Sequence, residues 1–216
     1  MLKRLKDPVS GLTHLFGALL SVAGLVVLLY FAVTGGTVWH VVAFAIFGAS
    51  LILLYSASAV YHLLPLSERG SLVLRKIDHM MIYILIAGTY TPICLIALRG
   101  TWGWSLFGAI WGLAAAGIVL NSFWLRSPRW LATLIYVFMG WLVVVATIPL
   151  IRAISWAGAG WLLAGGMFYS AGAVIYAVKR PNIAPGFGFH EIFHLFVLAG
   201  SLSHFWLMVK YVAPLG

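Results

Sequence analysis

The sequence predicts an all-α integral membrane protein, a single domain that forms a seven-transmembrane helix bundle. Of its 216 residues, 63% are hydrophobic and only 8% are charged, against about 25% charged residues in soluble domains. The apolar residues form long continuous runs, each able to supply the roughly 20 residues that a helix needs to cross a bilayer. Because lipid offers no partners to backbone groups, such runs are expected to be helical.

Charged residues and clusters of Gly or Pro divide the chain into seven such runs. The predicted spans cover residues 12–34, 38–63, 77–98, 103–125, 130–151, 156–178 and 188–209. The first run is longer than the apolar core of about 7 to 15 residues in a secretory signal, so we interpret it as a span. The connections between runs are short, which predicts that consecutive helices are antiparallel neighbours within one domain, 1–216.

The distribution of Lys and Arg predicts the orientation of the bundle. Ten of the 13 basic residues lie on one side of the predicted spans: Lys3, Arg4, Lys6, Arg69, Arg75, Lys76, Arg126, Arg129, Lys179 and Arg180. The other side has Arg99, Arg152 and Lys210. The positive-inside rule therefore predicts a cytoplasmic N-terminus and a C-terminus outside. The formal charge of +9 is explained by orientation, and we expect no nucleic-acid partner.

Few ionisable residues lie inside the predicted spans, and those that do share one depth. The formal charges there are Asp78 and Glu191. A charge at the centre of a span costs about 2.5 to 3.5 kcal/mol on insertion scales, so each is a functional candidate. The predicted topology places His62 at the cytoplasmic end of the second span, Asp78 at the start of the third, and His190 and His194 at the start of the seventh.

These residues have the pattern of a metal site. His190 and His194 are four residues apart, so on a helix they lie on one face, about 6 Å apart along the axis. A third imidazole from His62 would give three ligands and an open position, the arrangement of catalytic zinc. Ser58, one turn before His62, could orient a ligand or a water molecule. Asp78 could be a fourth ligand, a partner of an imidazole, or the acceptor that positions a metal-bound water.

The remaining histidines are predicted to have structural roles. His14 and His40 stand at the starts of the first two spans, on opposite faces of the membrane, and are expected at the interface. His79 points about 100° away from Asp78 on a helix. His204 lies deeper in the seventh span and is expected to make a hydrogen bond in the core.

A second interpretation of the same residues is a metalloprotease. His190, Glu191 and His194 also fit His-Glu-x-x-His, in which two histidines bind zinc and the glutamate is the base. Intramembrane proteases with this motif carry it early and take a later carboxylate ligand. Here the motif opens the last span, so any third ligand must come from upstream, which favours His62 and Asp78 over a protease layout.

Over almost its whole length the sequence resembles the hemolysin III and adiponectin-receptor-like (PAQR) membrane proteins. The resemblance rests on Ser58-Ala-Val-Tyr-His62, Lys76-Ile-Asp78-His, Gly88-Thr-Tyr-Thr-Pro92 and His190-Glu-Ile-Phe-His194. It implies a seven-helix bundle with Zn²⁺ on His62, His190 and His194, and with Asp78 and Ser58 close by. The short segment before the first span is similar to the short bacterial type of the family.

The residues and the resemblance lead to three functional hypotheses. The first is a zinc-dependent, ceramidase-like hydrolase of a lipid amide or ester, with Asp78 and Ser58 as catalytic residues and membrane lipids as partners. The alternative is a non-enzymatic sensor or regulator of membrane homeostasis with structural zinc. Cytolysis is the weakest, because the spans offer no polar stripe to line a pore. In each case we expect the protein in the bacterial cytoplasmic (inner) membrane.

Overall fold

The computed structural model describes residues 5–123 and 129–215, and helices form nearly all of this part of the chain. The α-helices are α1 (Pro8–Gly35), α2 (Val38–Leu63), α3 (Glu68–Pro92), α4 (Thr101–Phe123), α5 (Arg129–Trp141), α6 (Thr147–Val178) and α7 (Phe189–Leu207). A π-helical turn extends α3 over Ile93–Ala97 and another extends α7 over Met208–Val212. The 3₁₀ turn Leu142–Ala146 joins α5 to α6.

Six helical segments of the described residues are long and apolar enough to cross a membrane. They are Pro8–Gly35, Val38–Leu63, Glu68–Ala97, Thr101–Phe123, Trp130–Val178 and Phe189–Val212. Large apolar side chains face outward, among them Val33, Phe123 and Trp156, as expected where the surrounding solvent is lipid. The all-helical membrane fold is therefore confirmed. Lys3, Arg4 and Arg126, which enter the charge count, lie outside the described residues.

The fifth of these segments is 49 residues long and contains two of the predicted spans. As one straight helix it would extend about 74 Å, more than twice the roughly 30 Å of a hydrocarbon core. Its backbone leaves the helical conformation at Ser155, with φ 63° and ψ 170°. Trp141 Nε1 donates a hydrogen bond to Ser170 Oγ at 2.9 Å, although a straight helix would separate these residues by about 43 Å. The chain therefore folds back at Ser155.

The third helix begins at Glu68, well before the predicted start at residue 77. The hydroxyl of Ser67 accepts a hydrogen bond from a backbone N–H of the first turn at 3.4 Å, which makes Ser67 the N-cap. The prediction began the helix at residue 77, where the apolar run begins. Charged residues do not stop a helix, however, so the helix continues past the apolar run and carries Arg75 and Lys76 on its first turns.

Close packing of α1 brings three helices together at one end of the bundle. A Cβ atom on Gly11 would lie 2.5 Å from Leu63 Cδ2, and one on Gly17 would lie 2.7 Å from Leu198 Cδ2. A side chain at either position would have to displace these atoms, because α1 lies directly against the last turn of α2 and against α7. The start of α1, the end of α2 and the start of α7 meet there.

Candidate metal centre

Three imidazoles meet at this end of the bundle, one from the last turn of α2 and two from the first turns of α7. His62, His190 and His194 each offer a ring nitrogen, and these nitrogens lie within 4.8 Å of one another. The Nε2 atoms of His62 and His190 are 3.2 Å apart. Two nitrogen ligands at about 2.0 to 2.1 Å from a tetrahedral zinc ion would be about 3.3 Å apart. This cluster could therefore hold a metal ion.

Residues at the start of α1 determine which nitrogen of two of these rings faces the cluster. His62 Nδ1 lies 3.2 Å from Asp7 Oδ2, and His194 Nδ1 lies 3.3 Å from the carbonyl oxygen of Ser10. A carboxylate and a carbonyl oxygen can only accept hydrogen bonds, so each Nδ1 carries the proton. Each Nε2 atom then carries a lone pair that could bind a metal ion. Hydrogen bonds of this kind orient the imidazole ligands of most metal sites.

A fourth imidazole, that of His14, packs against the cluster from α1. His14 is only 3% exposed, and its ring stacks on that of His194 with 3.6 Å between centroids and 9° between planes. The sequence analysis placed His14 only by its depth in the membrane and did not predict this contact. The close approach of α1 to its neighbours turns the His14 face of the helix inward, a contact that one helix's sequence pattern does not reveal.

Asp78 and Ser58 lie beside the cluster rather than in it. Within the described residues, the group of mutually close ligand atoms contains the three imidazoles and not Asp78. Ser58 is buried one turn before His62, and its side chain interacts with that of Asp78. Both residues line a cavity together with His190 and His194. This arrangement suits a carboxylate that acts on a water molecule or a substrate next to the metal ion better than a direct ligand.

Glu191 and His204 make structural hydrogen bonds. Glu191 Oε2 accepts from the backbone N–H of Gly188 at 2.8 Å, and Glu191 Oε1 accepts from the Ser10 hydroxyl at 2.7 Å. Both carboxylate oxygens therefore serve to cap α7 and to tie it to α1. His204 Nε2 donates to the carbonyl oxygen of Leu162 at 3.2 Å, so the predicted core hydrogen bond of His204 is confirmed.

The cavity beside the cluster has a volume of about 520 Å³. Beyond the fold-back at Ser155, its lining along α6 runs from Trp156 to Tyr176, and these residues are about 30 Å apart on a helix, the thickness of a hydrocarbon core. Most lining side chains are apolar, but Asp78, His190 and His194 also line the cavity. The ring of His190 lies at its Tyr176 end, with 5.7 Å between the centroids of the two rings. Ligand pockets of about 300 to 1,000 Å³ are common. The shape and lining suit an acyl chain.

The sequence analysis missed Asp7 and its contact with His62. A signal was present, because Asp7 and Pro8 have the residue types favoured at the N-cap and at the first position of a helix. That signal moves the start of the first helix from residue 12 to residue 8, where the structure has it. It indicates a helix start, but it does not indicate which side chain Asp7 contacts.

Comparisons with known proteins give relatives over nearly the whole chain. The profile of a family described as Haemolysin-III related matches residues 2–205. The chain is 41% identical to a Hemolysin-3 homolog of Bacillus subtilis (strain 168) over 202 residues, 94% of this chain and 92% of the relative. It is 42% identical to Hemolysin-3 of Bacillus cereus over 207 residues, 95% and 91% of the two chains. It is 26% identical to the human Monocyte to macrophage differentiation factor over 181 residues, 81% and 72% of the two chains.

Proposed function

The chain belongs to the hemolysin III family of integral membrane proteins, and on that premise we propose that it is a zinc-dependent hydrolase of a lipid amide or ester. The observation that carries the proposal is the position of His190, His194 and Asp78 at one end of a long apolar cavity. An acyl chain would occupy the cavity, and its carbonyl group would lie at the polar end. Such an activity in the cytoplasmic (inner) membrane would serve membrane lipid or fluidity homeostasis.

The proposal includes the topology of the bundle. The turn at Ser155 divides the 49-residue segment into two spans, which makes seven in all. The excess of Lys and Arg on one side supports a cytoplasmic N-terminus and a C-terminus outside. The histidine cluster then lies at the cytoplasmic face, where a lipid of the inner leaflet can reach it laterally.

His62, His190 and His194 would hold zinc as neutral imidazoles. Asp7 and the Ser10 carbonyl group keep two of these rings oriented through Nδ1. When bound to three imidazoles, zinc polarises a carbonyl group and lowers the pKa of water in its open position to about 7. The chain itself supplies the ligands, their orientation and the apolar surroundings that exclude bulk water.

Asp78 is the proton carrier in the proposed reaction. Its carboxylate takes a proton from the attacking water molecule while the water oxygen bonds to the carbonyl carbon. The same group then gives the proton to the leaving nitrogen or oxygen as the amide or ester bond breaks, so the products are a fatty acid and an amine or alcohol. The neighbouring side chain of Ser58 would keep the carboxylate of Asp78 oriented, which makes Ser58 a positioning residue in this proposal.

The experiment is to incubate the purified, zinc-loaded protein with N-acyl and O-acyl lipids and to measure released fatty acid by mass spectrometry. Wild type is expected to release fatty acid from at least one of these lipids. Asp78→Asn should lower turnover by about 10²- to 10⁴-fold, the usual contribution of a general acid or base, at unchanged zinc content. His194→Ala should lose both zinc and activity.

Glu191→Gln is the matched control, because an amide oxygen can still accept the hydrogen bond from Gly188. Its lipid turnover should stay near that of wild type if Glu191 only caps α7. A loss as large as that of Asp78→Asn would instead identify Glu191 as the base, the role of the glutamate in His-Glu-x-x-His. Absence of fatty acid release from any lipid by folded, zinc-loaded wild type would contradict the hydrolase proposal.

A second candidate is a non-enzymatic regulator in which zinc is structural. It is favoured by the origin of the groups around the cluster, because the ligands come from α2 and α7 and their hydrogen-bond partners from α1. A metal ion there would tie three helices together. This candidate predicts that zinc removal destabilises the bundle and that no lipid is cleaved even when zinc is bound.

A further inference from the structure

Basic residues surround the polar end of the cavity. Arg75 and Lys76 lie on the extended first turns of α3 and line the cavity with Asp78. Lys6 reaches the same helix from the chain segment before α1, where its Nζ donates to Ser71 Oγ at 3.3 Å. Ser71 is one turn before Arg75. Three cations are thus gathered beside the proposed reaction centre.

Two of these cations have no carboxylate partner within the part of the chain that the structure describes. The ion pairs found there join Asp7 to Lys6 at 4.0 Å and to His62 at 3.2 Å, and Asp78 to His79 at 3.8 Å. Arg75 is exposed and forms none of these pairs. Lys76 Nζ donates to the neutral carbonyl oxygen of Ser122 at 3.5 Å. Among the described residues, neither Arg75 nor Lys76 thus forms an ion pair within 4.0 Å with an acidic side chain.

We infer that the cavity binds an amphiphile with a long acyl chain and an anionic head group, which Arg75 and Lys76 contact. The acyl chain would lie along the apolar part of the cavity. The anionic head group would then lie at the polar end, beside the two cations. A guanidinium group suits this role, because its N–H groups match the paired oxygens of a carboxylate or a phosphate. The inference rests on the proposed function, since it names the charge class of the ligand of that same site.

The positive-inside rule explains basic residues at this face, but it does not explain why two of them line the cavity. Lys179 and Arg180 follow α6 and are exposed, and neither lines the cavity. In the proposed topology they lie on the same side of the membrane as Arg75 and Lys76. The pair Lys179 and Arg180 is therefore a matched control with equal charge.

The test is equilibrium binding to the purified full-length protein in a neutral detergent, measured by native mass spectrometry. Each anionic probe is paired with an uncharged twin: palmitate with hexadecanol, and a non-hydrolysable diether phosphatidic acid with the corresponding diether glycerol. At least one anionic probe should bind ten-fold or more tightly than its twin. Preference for palmitate alone identifies a carboxylate head group, preference for the phosphatidic acid alone a phosphate, and preference for both a site for either anion.

The double variant Arg75→Gln with Lys76→Gln should abolish the preference for the anionic probe and leave binding of the uncharged twin unchanged. The double variant Lys179→Gln with Arg180→Gln should keep the preference. Arg75→Gln alone should bind the anionic probe several-fold more weakly than wild type does. Because Arg75 is exposed, this substitution does not put folding at risk. Equal binding of charged and uncharged probes by wild type would overturn the inference, as would an equal loss in the control variant.

Because no probe has to be cleaved, the result is independent of catalysis. A charge preference together with absent fatty acid release would contradict the proposed hydrolase and leave the anionic ligand class standing. Fatty acid release without any charge preference would support the hydrolase and contradict the anionic ligand class. Zinc content measured in each variant shows whether the histidine cluster is intact.

Discussion

Asp7 Oδ2 accepts a hydrogen bond from Nδ1 of His62 at 3.2 Å, across 55 residues of sequence. The backbone N–H of Asp7 also donates to the carbonyl oxygen of His62 at 2.8 Å. The residue before the first helix is therefore bound twice to the residue near the end of the second. Contacts of this type orient metal ligands and raise their basicity.

We predict that Asp7→Ala lowers zinc affinity by about 10- to 100-fold, the usual cost of losing such a partner. Asp7→Asn should lower zinc affinity less than Asp7→Ala does, because the amide oxygen can still accept the hydrogen bond from His62 Nδ1. Affinity is measured by competition with a chromogenic chelator. Glu68→Gln is the control, since Glu68 is an exposed carboxylate at the start of α3. Equal zinc affinity in Asp7→Ala and wild type would rule out this role.

The parallel stack of His14 on His194 predicts different results for two substitutions. His14→Ala removes the ring that covers one face of His194 and should lower both thermal stability and zinc affinity, because the neighbouring ligand gains freedom. His14→Phe keeps an aromatic ring at this position and should restore most of the zinc affinity. If Phe is as harmful as Ala, His14 acts through its nitrogens and not through stacking. Thermal unfolding and chelator competition give the two measurements.

Removal of the metal ion should destabilise the protein through its binding free energy. A ligand that binds only the folded state stabilises it by about 4 kcal/mol at 1,000 times its Kd. Wild type treated with a chelator should therefore unfold at a lower temperature, and added zinc should reverse the change. His194→Ala should show no response to either treatment. A chelator effect of equal size in His194→Ala would place the metal ion elsewhere.

The fold-back at Ser155 predicts where a label can reach the chain. In a Cys94→Ser background, which removes the single cysteine, Ser155→Cys should react with a membrane-impermeant maleimide in intact cells. Arg69→Cys should react only after the membrane is opened. The reverse pattern would invert the proposed orientation, and equal labelling of both sites from one side would contradict the division into two spans.

The helical membrane fold and the histidine cluster could be predicted from the sequence because both depend on spacing within single elements. Long apolar runs have few alternatives in lipid, and His190 and His194 are neighbours on any helix. His62 was predicted from its depth at the end of the second run. The structure brings it to 3.2 Å from His190, which is a matter of packing between helices.

The contributions of α1 could not be predicted for the same physical reason. His14 and Asp7 reach the cluster because Gly11 lets α1 lie against Leu63, and a glycine in an apolar run does not identify the helix that it contacts. The start of α3 was missed for a different reason. Its first turns are polar and basic, so an apolar run was too narrow a criterion for where that helix begins.

The ligands of the cluster come from opposite ends of the sequence, and this order has a consequence for biosynthesis. His62 and His190 are separated by 128 residues, a length that a ribosome translates in roughly 6 to 26 s at about 5 to 20 residues per second. During that interval Asp7 and His62 are already in the membrane without their partners on α7. The cluster can therefore close only after α7 has been inserted, so a metal ion that needs all three imidazoles could bind only from that point on.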